Sequence, residues 1–577
     1  MSTIPKENRP WRESGIAFKS MDTNNNETHT AIVYDYGGIW DPVDGKVPGE
    51  HYGTTFFGYL SALMYRDTGE NQFLYRAIAA GRFHINTSVD EYYEPSYEYH
   101  WAFNNLAFIE TYCLIKRHLS REERDRWERC ILNWKELFRH PVTNWQIMRA
   151  YSYLLRYKLF KKPLDMVYHL YFSLHLRRGI QTLDGCVYDI KDNTCPLQYH
   201  AYVLAILHKL YILSKGEFIK VMFIKGINYI LPFIDPDGDF NYMGRGQRQI
   251  FGYSSLIYAL EAAKNIVPER AIEYQHYLDL VWNYFSSYQR KDGYFPLILT
   301  ETDEHDQPVW YRYHHLTVYN AFTALWLYEA GKMASPATDG YKEQKKTLTY
   351  FNTTGTIIAS MDKYYAVISG GERKYLADGG LTFQHIWVQG LGAFFSCPGG
   401  PSGKHLVNLE GQDNFYKNFL APIAMSDGVW FCPAFSRGEV KRINSETFVI
   451  KYNYGPFTVT RTIIFNADNI DVNDYILFTK CKRYNEFRIF NMPFSPSTCE
   501  ANEAIGSTGG GLTLTSTKKP DSNVKIDIEY TDGEDSIFSV DERILATYGP
   551  MIVCSRKHIN FECHEGKALK IGFIMRF

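Results

Sequence analysis

Residues 180–211 read IQTLDGCVYDIKDNTCPLQYHAYVLAILHKLY: an Asp-Gly turn, an aromatic and polar loop, then apolar residues at helical spacing. The order recurs twice. FIDPDGDFNY from residue 233 leads to YSSLIYALEAA from 253, and RKDGYFPL from 290 leads to HLTVYNAFTALWLYE from 315. The three turn acids, Asp184, Asp237 and Asp292, lie 53 and 55 residues apart. Asp-Gly alone is a common turn dipeptide. Near-equal spacing in matching contexts marks a repeated helical hairpin, which must stack into a solenoid or close into a ring. The helical texture of about 300 residues suits roughly six hairpins. An α/α toroid, written as an incomplete barrel of helical hairpins, is therefore expected, with its loops gathered around a central cleft.

Outward from the repeat, helical spacing extends back through FFGYLSALMYRDTG and FNNLAFIETYCLIKRHLS, and SREERDRWERCILNW opens on Ser120 at a cap position with acids in its first turn. Beyond about Lys345 the texture changes to alternation and β-branched residues, as in ETFVIKYNYGPFTVTRTIIF, punctuated by glycine turns. The expected fold is multidomain α + β: a toroid over 1–335, a polar linker over 336–346 and an antiparallel β-sandwich over 347–577.

Composition narrows the function classes. With 62 Lys+Arg against 64 Asp+Glu the chain is nearly neutral, so a basic nucleic-acid-binding field is not expected. No apolar run is long enough to span a membrane, and no membrane partner is expected. The N-terminus MSTIPKENRPWRESG lacks a secretory pattern, which points to a cytoplasmic protein, or to a secreted or periplasmic one whose signal has been trimmed. Ten cysteines without a C-x-x-C pair disfavour a disulfide scaffold or zinc finger, and Cys563-His564 has no partner at ligand spacing, so no metal or cofactor is expected. The departure from average is aromatic: 45 Tyr, 37 Phe and 11 Trp make 16% of the chain.

Much of that excess belongs to the core, but part stands beside His, Arg and Asn where loops meet helices. Tyr199 and His200 open one helix. Gly244-Arg245-Gly246-Gln247-Arg248 offers guanidiniums for a carboxylate and glycines that let backbone approach a ligand. Trp310 precedes His314, His315 and Tyr319; His100 and Trp101 precede Asn104 and Asn105; Asn144 and Trp145 start another helix, and Tyr253 another. Aromatic faces stack on sugar rings, while Arg and Asn hold carboxylates, so the set suits an acidic polysaccharide or oligosaccharide. The chemistry available at a uronic acid is β-elimination: the carboxylate is neutralised, a base takes the C5 proton, and an acid protonates O4. Tyrosine serves as base only where cations or His lower its pKa, and Arg245, Arg248 and His200 are the candidates for that. Tyr199, His200, Asn144, Arg245, Arg248 and His315 form the expected catalytic set. His100, Trp101, Asn105, Trp145, Tyr253, Trp310 and Tyr319 are expected to bind substrate.

DGCVYDIKDNTCPLQYHAYVLAIL resembles the segment of heparinase II/III-like polysaccharide lyases in which a DG turn leads to a Tyr-His pair opening a helix. TNWQIMRAYSYLL resembles their earlier Asn-containing helix start, YAVISGGERKYLADGG their sandwich domain, and GRGQR is similar to the Gly-Arg segment of the hyaluronate lyase group. The resemblance implies a toroid and sandwich, and a carbon-oxygen lyase of carbohydrate metabolism that leaves an unsaturated uronate. It further implies that Asn144 neutralises the carboxylate, Tyr199 acts as base or acid, and a His near the cleft assists. The chain has Asn144-Trp145 where the family often carries Asn-Asn-His, so Asn104 or Asn105 is an alternative neutraliser; His385 or His405 is the alternative second His. Two other readings remain: a glycoside hydrolase on the same toroid, with carboxylates such as Asp184, Asp237 and Asp292, and a glycan-binding protein without catalysis.

Overall fold

The structure is a computed structural model describing residues 37–48, 51–89, 95–134, 142–189, 196–244, 246–300, 315–334, 341, 346–369, 382–396, 420–433, 437–505, 510–519, 521–530, 536–546 and 549–577. Helices occupy its first half: α1 Gly53–Thr68, α2 Asn71–Val89, α3 Pro95–Ile115, α4 Arg121–Leu132, α5 Thr143–Phe160, α6 Pro163–Arg177, α7 Leu197–Ser214, α8 Glu217–Ile230, α9 Ile250–Ile266, α10 Ala271–Ser286 and α11 Leu316–Met333. Odd-numbered helices pack side by side in chain order, and α11 returns to pack on α1. The inner layer is thus a closed ring of six. The outer layer has five helices among the described residues, so the barrel is incomplete only on its outside.

Ser120 caps α4 as expected, its side chain accepting from Glu123 N at 3.2 Å. The Asp-Gly turns have a second physical reason beyond turn propensity. Gly185 and Gly238 adopt φ of 101° and 99°, and a Cβ there would lie 2.2 Å from the Lys225 carbonyl oxygen on α8 and 2.1 Å from that of Leu280 on α10. Gly37, at φ 77°, faces Ala79 O on α2 in the same way, at 2.0 Å. It is a further copy of the turn that lacks the preceding Asp. Each turn then feeds a loop over the neighbouring helix start: Thr143 N donates to Asp189 O (2.8 Å), Leu197 N to Met243 O (3.3 Å) and Ile250 N to Leu297 O (3.4 Å). These bonds satisfy helix-start donors that have no intrahelical acceptor.

Aromatic rings fill the barrel axis. Phe103 stacks on Tyr52 at 4.4 Å and on Tyr202 at 5.3 Å, and Tyr202 also meets Phe251, Phe322 and Trp326. Beyond this plug, toward the C-terminal ends of the inner helices, lies a cavity of about 610 Å³. All six inner helices send a polar side chain to it: Tyr59, Glu110, Tyr151, Lys209, Tyr258 and Glu329. Buried Lys209 Nζ lies 2.6 Å from Glu329 and from the Tyr59 hydroxyl, and 3.7 Å from Glu110, to which Tyr151 also donates. Burial alone would lower the Lys209 pKa; the two carboxylates outweigh it and hold the ammonium above its ordinary value.

The second half is antiparallel. A five-stranded meander, β1 Thr347–Phe351, β2 Thr356–Ser360, β3 Tyr364–Ile368, β4 Phe383–Val388 and β5 Gly392–Ser396, precedes an eight-stranded and a further five-stranded sheet. The meander is a middle layer buried on both faces. Ile358, Tyr365, Val367 and Trp387 share the helical core, while Ile357, Tyr364, Ala366 and Ile386 share the core of the larger sheets. Of the expected linker, residues 336–340 and 342–345 lie outside the described residues.

The polar ring around Lys209 yields a stability expectation. Lys209→Met leaves two partly buried carboxylates without their cation and should cost up to about 3–5 kcal/mol in urea unfolding. Adding Glu329→Leu should recover part of that loss. An additive or larger loss in the double variant would show that the pair is not coupled.

Candidate functional site

The inner helices all start at one end of the barrel, because each is followed by an antiparallel outer helix. Ring contacts fix the level. His51, just before α1, lies 4.2 Å from His100 on α3 and 4.3 Å from His315, just before α11; Tyr52 stacks on His100 at 5.5 Å. Tyr199, third residue of α7, meets Phe251 on α9 edge-on at 5.4 Å, and Phe251 meets Tyr319 on α11 at 6.0 Å. The Tyr202 hydroxyl reaches Met148 Sδ at 3.0 Å, which sets the start of α5, with Asn144 and Trp145, beside that of α7. Six helix N-termini, each carrying partial positive charge, converge on this mouth.

Helices α3 and α5 carry buried polar atoms with no hydrogen-bond partner among the described residues. His100 Nδ1 and Asn144 Oδ1 are two of them at the mouth, whereas Trp101 Nε1 and both amide atoms of Asn105 lie on the face of α3 turned to the outer helices, where Trp101 is 6.5 Å from His84 on α2. A buried group left so costs about 1–3 kcal/mol, and such groups mark places where a ligand or water completes the bonding. Asn104, by contrast, is satisfied: its Oδ1 accepts from Thr55 Oγ1 at 2.7 Å. Burial, with His315 adding repulsion, holds the His100 imidazole down at about 4, so it stays neutral through the ordinary pH range. Burial also raises the Tyr52 hydroxyl well above the usual tyrosine range, with Tyr199 nearby and Tyr319 bonded to it.

Several expected residues are placed differently. His200 is buried with both ring nitrogens in use: Nδ1 accepts from Val187 N at 3.1 Å and Nε2 faces Gly226 O at 2.9 Å. Burial holds it at about 4. It is a neutral brace between the turn and α8, with neither nitrogen left for catalysis. Arg248 pairs with buried Asp239 at 3.1 Å, and Tyr253, fully buried, donates to the same carboxylate at 2.5 Å, so this expected cation and this expected sugar contact are spent on the protein itself. The glycines of the Gly-Arg segment meet protein rather than open space: a Cβ on Gly244 would lie 2.5 Å from Pro196 Cα, and one on Gly246 would lie 2.2 Å from Gln198 Nε2. His315 caps the ring end against Asp44, and Tyr319 and Trp145 are buried at the mouth. His385 is buried in β4, bonded to Asp235 at 2.9 Å and Ser396 at 2.7 Å. Arg245, Trp310, His314 and His405 lie outside the described residues.

Asp41, Asp44 and His315 bring three ligand atoms within 4.8 Å of one another. Asp41, however, already accepts from Val43 N, Asp44 N, Thr317 N and Thr317 Oγ1. Its lone pairs are used, and the trio reads as a cap on α11. The hydrolase carboxylates are likewise engaged: Asp184 accepts from Thr353 N and Asp237 from Trp387 Nε1, both at 2.7 Å, while Asp292 pairs with Arg290 at 2.8 Å. Sequence reasoning missed His51 and Tyr52. Their signal was present, since an aromatic pair opens α1 as Tyr199-His200 opens α7.

No protein-family model matches the chain, nor does any curated protein. Solved structures do. Heparan sulfate lyase HepC from Pedobacter heparinus is 10% identical with a TM-score of 0.56, over 99% of this chain and 83% of that one. A heparinase III is 10% identical at 0.58, over 100% and 85%. The Streptomyces coelicolor A3 chondroitin AC lyase, in complex with chondroitin sulphate, is 11% identical at 0.57, over 100% and 80%. The likeness is one of fold: this chain has the toroid and β-domain architecture of these polysaccharide lyases.

Two outcomes follow from the site. Asn105→Leu should raise the urea midpoint by an amount equivalent to about 1–3 kcal/mol, because it removes two unpartnered polar atoms; a loss of stability would contradict the reading. His84, His100, His200 and His208 are all held at about 4, chiefly by burial. Unfolded, they titrate near about 6.5. The unfolded chain therefore binds protons that the folded chain refuses, so stability should fall as pH drops from 6.5 toward 4 and not return below that. Equal urea midpoints at about pH 7 and pH 4.5 would refute this.

Proposed function

We propose that this protein is a polysaccharide lyase that cleaves a uronic-acid-containing glycan by β-elimination at the mouth of its helical barrel. The observation that carries the reading is the pair of unpartnered polar groups at the mouth, His100 on α3 and Asn144 at the start of α5, where six helix N-termini favour an anion. The Asn144 amide, with an N–H donor and a carbonyl acceptor, suits a carboxylate or a sugar hydroxyl. The fold shared with heparan sulfate and chondroitin lyases supports the same class.

In this reading the Asn144 amide neutralises the uronate carboxylate so that charge can spread into it from C5. Tyr199 was a candidate base on the condition that cations lower its pKa. Among the described candidates Arg248 is bound to Asp239 and His200 is neutral, so neither supplies that support, and a neutral phenol is better suited as the acid that protonates O4. His100, neutral and with Nδ1 unpartnered, is the base for the C5 proton. The C5–H electron pair forms the C4=C5 double bond, the C4–O4 bond breaks, and O4 takes the Tyr199 proton. Tyr52, stacked on His100 and with Tyr199 near its hydroxyl, holds the two in register.

The test is a panel of uronate polymers headed by heparan sulfate and chondroitin sulfate, with products read by mass spectrometry and ultraviolet absorbance. Products should be one water lighter than hydrolysis products and carry the unsaturated uronate chromophore. Tyr199→Phe and His100→Ala should each lower kcat by roughly 10²–10⁴-fold. New reducing ends without the chromophore, or full activity in Tyr199→Phe, would overturn the assignment.

A further inference from the structure

Outer helix α6 buries Asp165, His169, Phe172 and Leu176 against the barrel. Amphipathic logic makes the opposite face of such a helix charged. Here that face is apolar: Leu164, Val167, Leu170, Tyr171 and Leu174 are 56, 57, 52, 40 and 50% exposed, at helical spacings of three and four. They form one stripe along a 15-residue helix about 22 Å long. Its single acid, Asp165, turns inward to Arg156 at 3.0 Å. Exposed cations stand only at the ends, Lys161 and Lys162 before the helix, Arg177 and Arg178 at its close. Arg177 lies over the Phe218 ring of α8 at 4.8 Å and still faces solvent.

We propose that this stripe seats the protein on a membrane surface carrying anionic lipid, with α6 in the interfacial plane. The leucines and valine enter the boundary between headgroups and acyl chains, Tyr171 sits at that boundary with its hydroxyl toward water, and the end cations meet lipid phosphates. Charge selects this occupant. Two copies meeting stripe to stripe would set Lys161 and Lys162 against Arg177 and Arg178 if antiparallel, or each pair against itself if parallel, so both ends repel in either sense. An anionic lipid layer complements all four. The absence of a membrane partner expected from the sequence rested on spanning segments, and no helix among the described residues is long and apolar enough to cross a membrane. A stripe lying flat on the surface needs no spanning helix.

The experiment is co-sedimentation of the full chain with vesicles of phosphatidylcholine alone and of phosphatidylcholine with about one third phosphatidylglycerol. The protein should pellet with the anionic vesicles, less so as salt is raised, and remain soluble with phosphatidylcholine alone. The double variant Leu170→Asp, Leu174→Asp should stay in the supernatant with its urea midpoint unchanged, since both positions face solvent. Lys162→Glu with Arg178→Glu should weaken binding roughly tenfold or more. Failure to pellet with either vesicle, or equal pelleting with both, would overturn the proposal. So would a dimer in light scattering that the Leu170→Asp, Leu174→Asp variant dissolves, which would give the stripe to a second copy.

Discussion

The structure depends on a glycine placed where no other residue fits. At Gly37, Gly185 and Gly238 the chain turns in the left-handed region with its α-carbon against a carbonyl of an outer helix, α2, α8 or α10. Any side chain there meets backbone, which cannot yield as a side-chain tip can. The turn therefore fixes the distance between an incoming loop and its outer helix. From that fixed point the chain reaches across to accept a hydrogen bond from the preceding inner helix start, as Asp189, Met243 and Leu297 do. Each repeat is thus bonded to the one before it at the same end of the barrel, and this is why the loops gather there.

What closes the ring differs at its two ends. Six C-terminal helix ends bring partial negative charge toward the axis, and Lys209 answers it with an ammonium shared by Glu110 and Glu329. A buried ion pair adds little net stability against an apolar replacement. Its value here is geometric, because an arrangement that draws one side chain from every inner helix is satisfied only when all six are in register. The aromatic plug then separates that end from the mouth. At the C-terminal end the polar ring closes around Lys209, while at the mouth His100 Nδ1 and Asn144 Oδ1 have no partner among the described residues.

The repeat was legible because a turn, a loop and a helix recur with residue types that have one physical use. Asn144 and Tyr199 stood out in the sequence because polar residues at the start of otherwise apolar helices ask for a reason. Direction was not legible. Neighbours at a helix start point about 100° apart, so Tyr199 and His200, one motif in the sequence, part company: Tyr199 turns toward Phe251 at the mouth and His200 toward Gly226 on an outer helix. Arg248 and Tyr253 misled for a related reason. Both looked available for a sugar acid, and only the fold shows that Asp239, two residues after an Asp237 assigned to turn formation, takes both.

The same distinction settles where the aromatic excess goes. Sugar stacking needs rings with a free face, yet Tyr52, Phe103, Tyr202, Phe251 and Phe322 pack on one another along the axis, some stacked and some tilted or edge-on. They support the site from below rather than line it. An aromatic floor excludes water beneath the mouth, so hydrogen bonds made above it act in a medium of low polarity where they are stronger. The opposite side of the mouth, where Asp239 holds Arg248, presents a pair already neutralised. On the proposed reading, selectivity for an acidic sugar would then draw on an amide donor and helix ends rather than on Arg248, which is a weaker but more discriminating way to hold a charge whose neutralisation is itself part of the reaction.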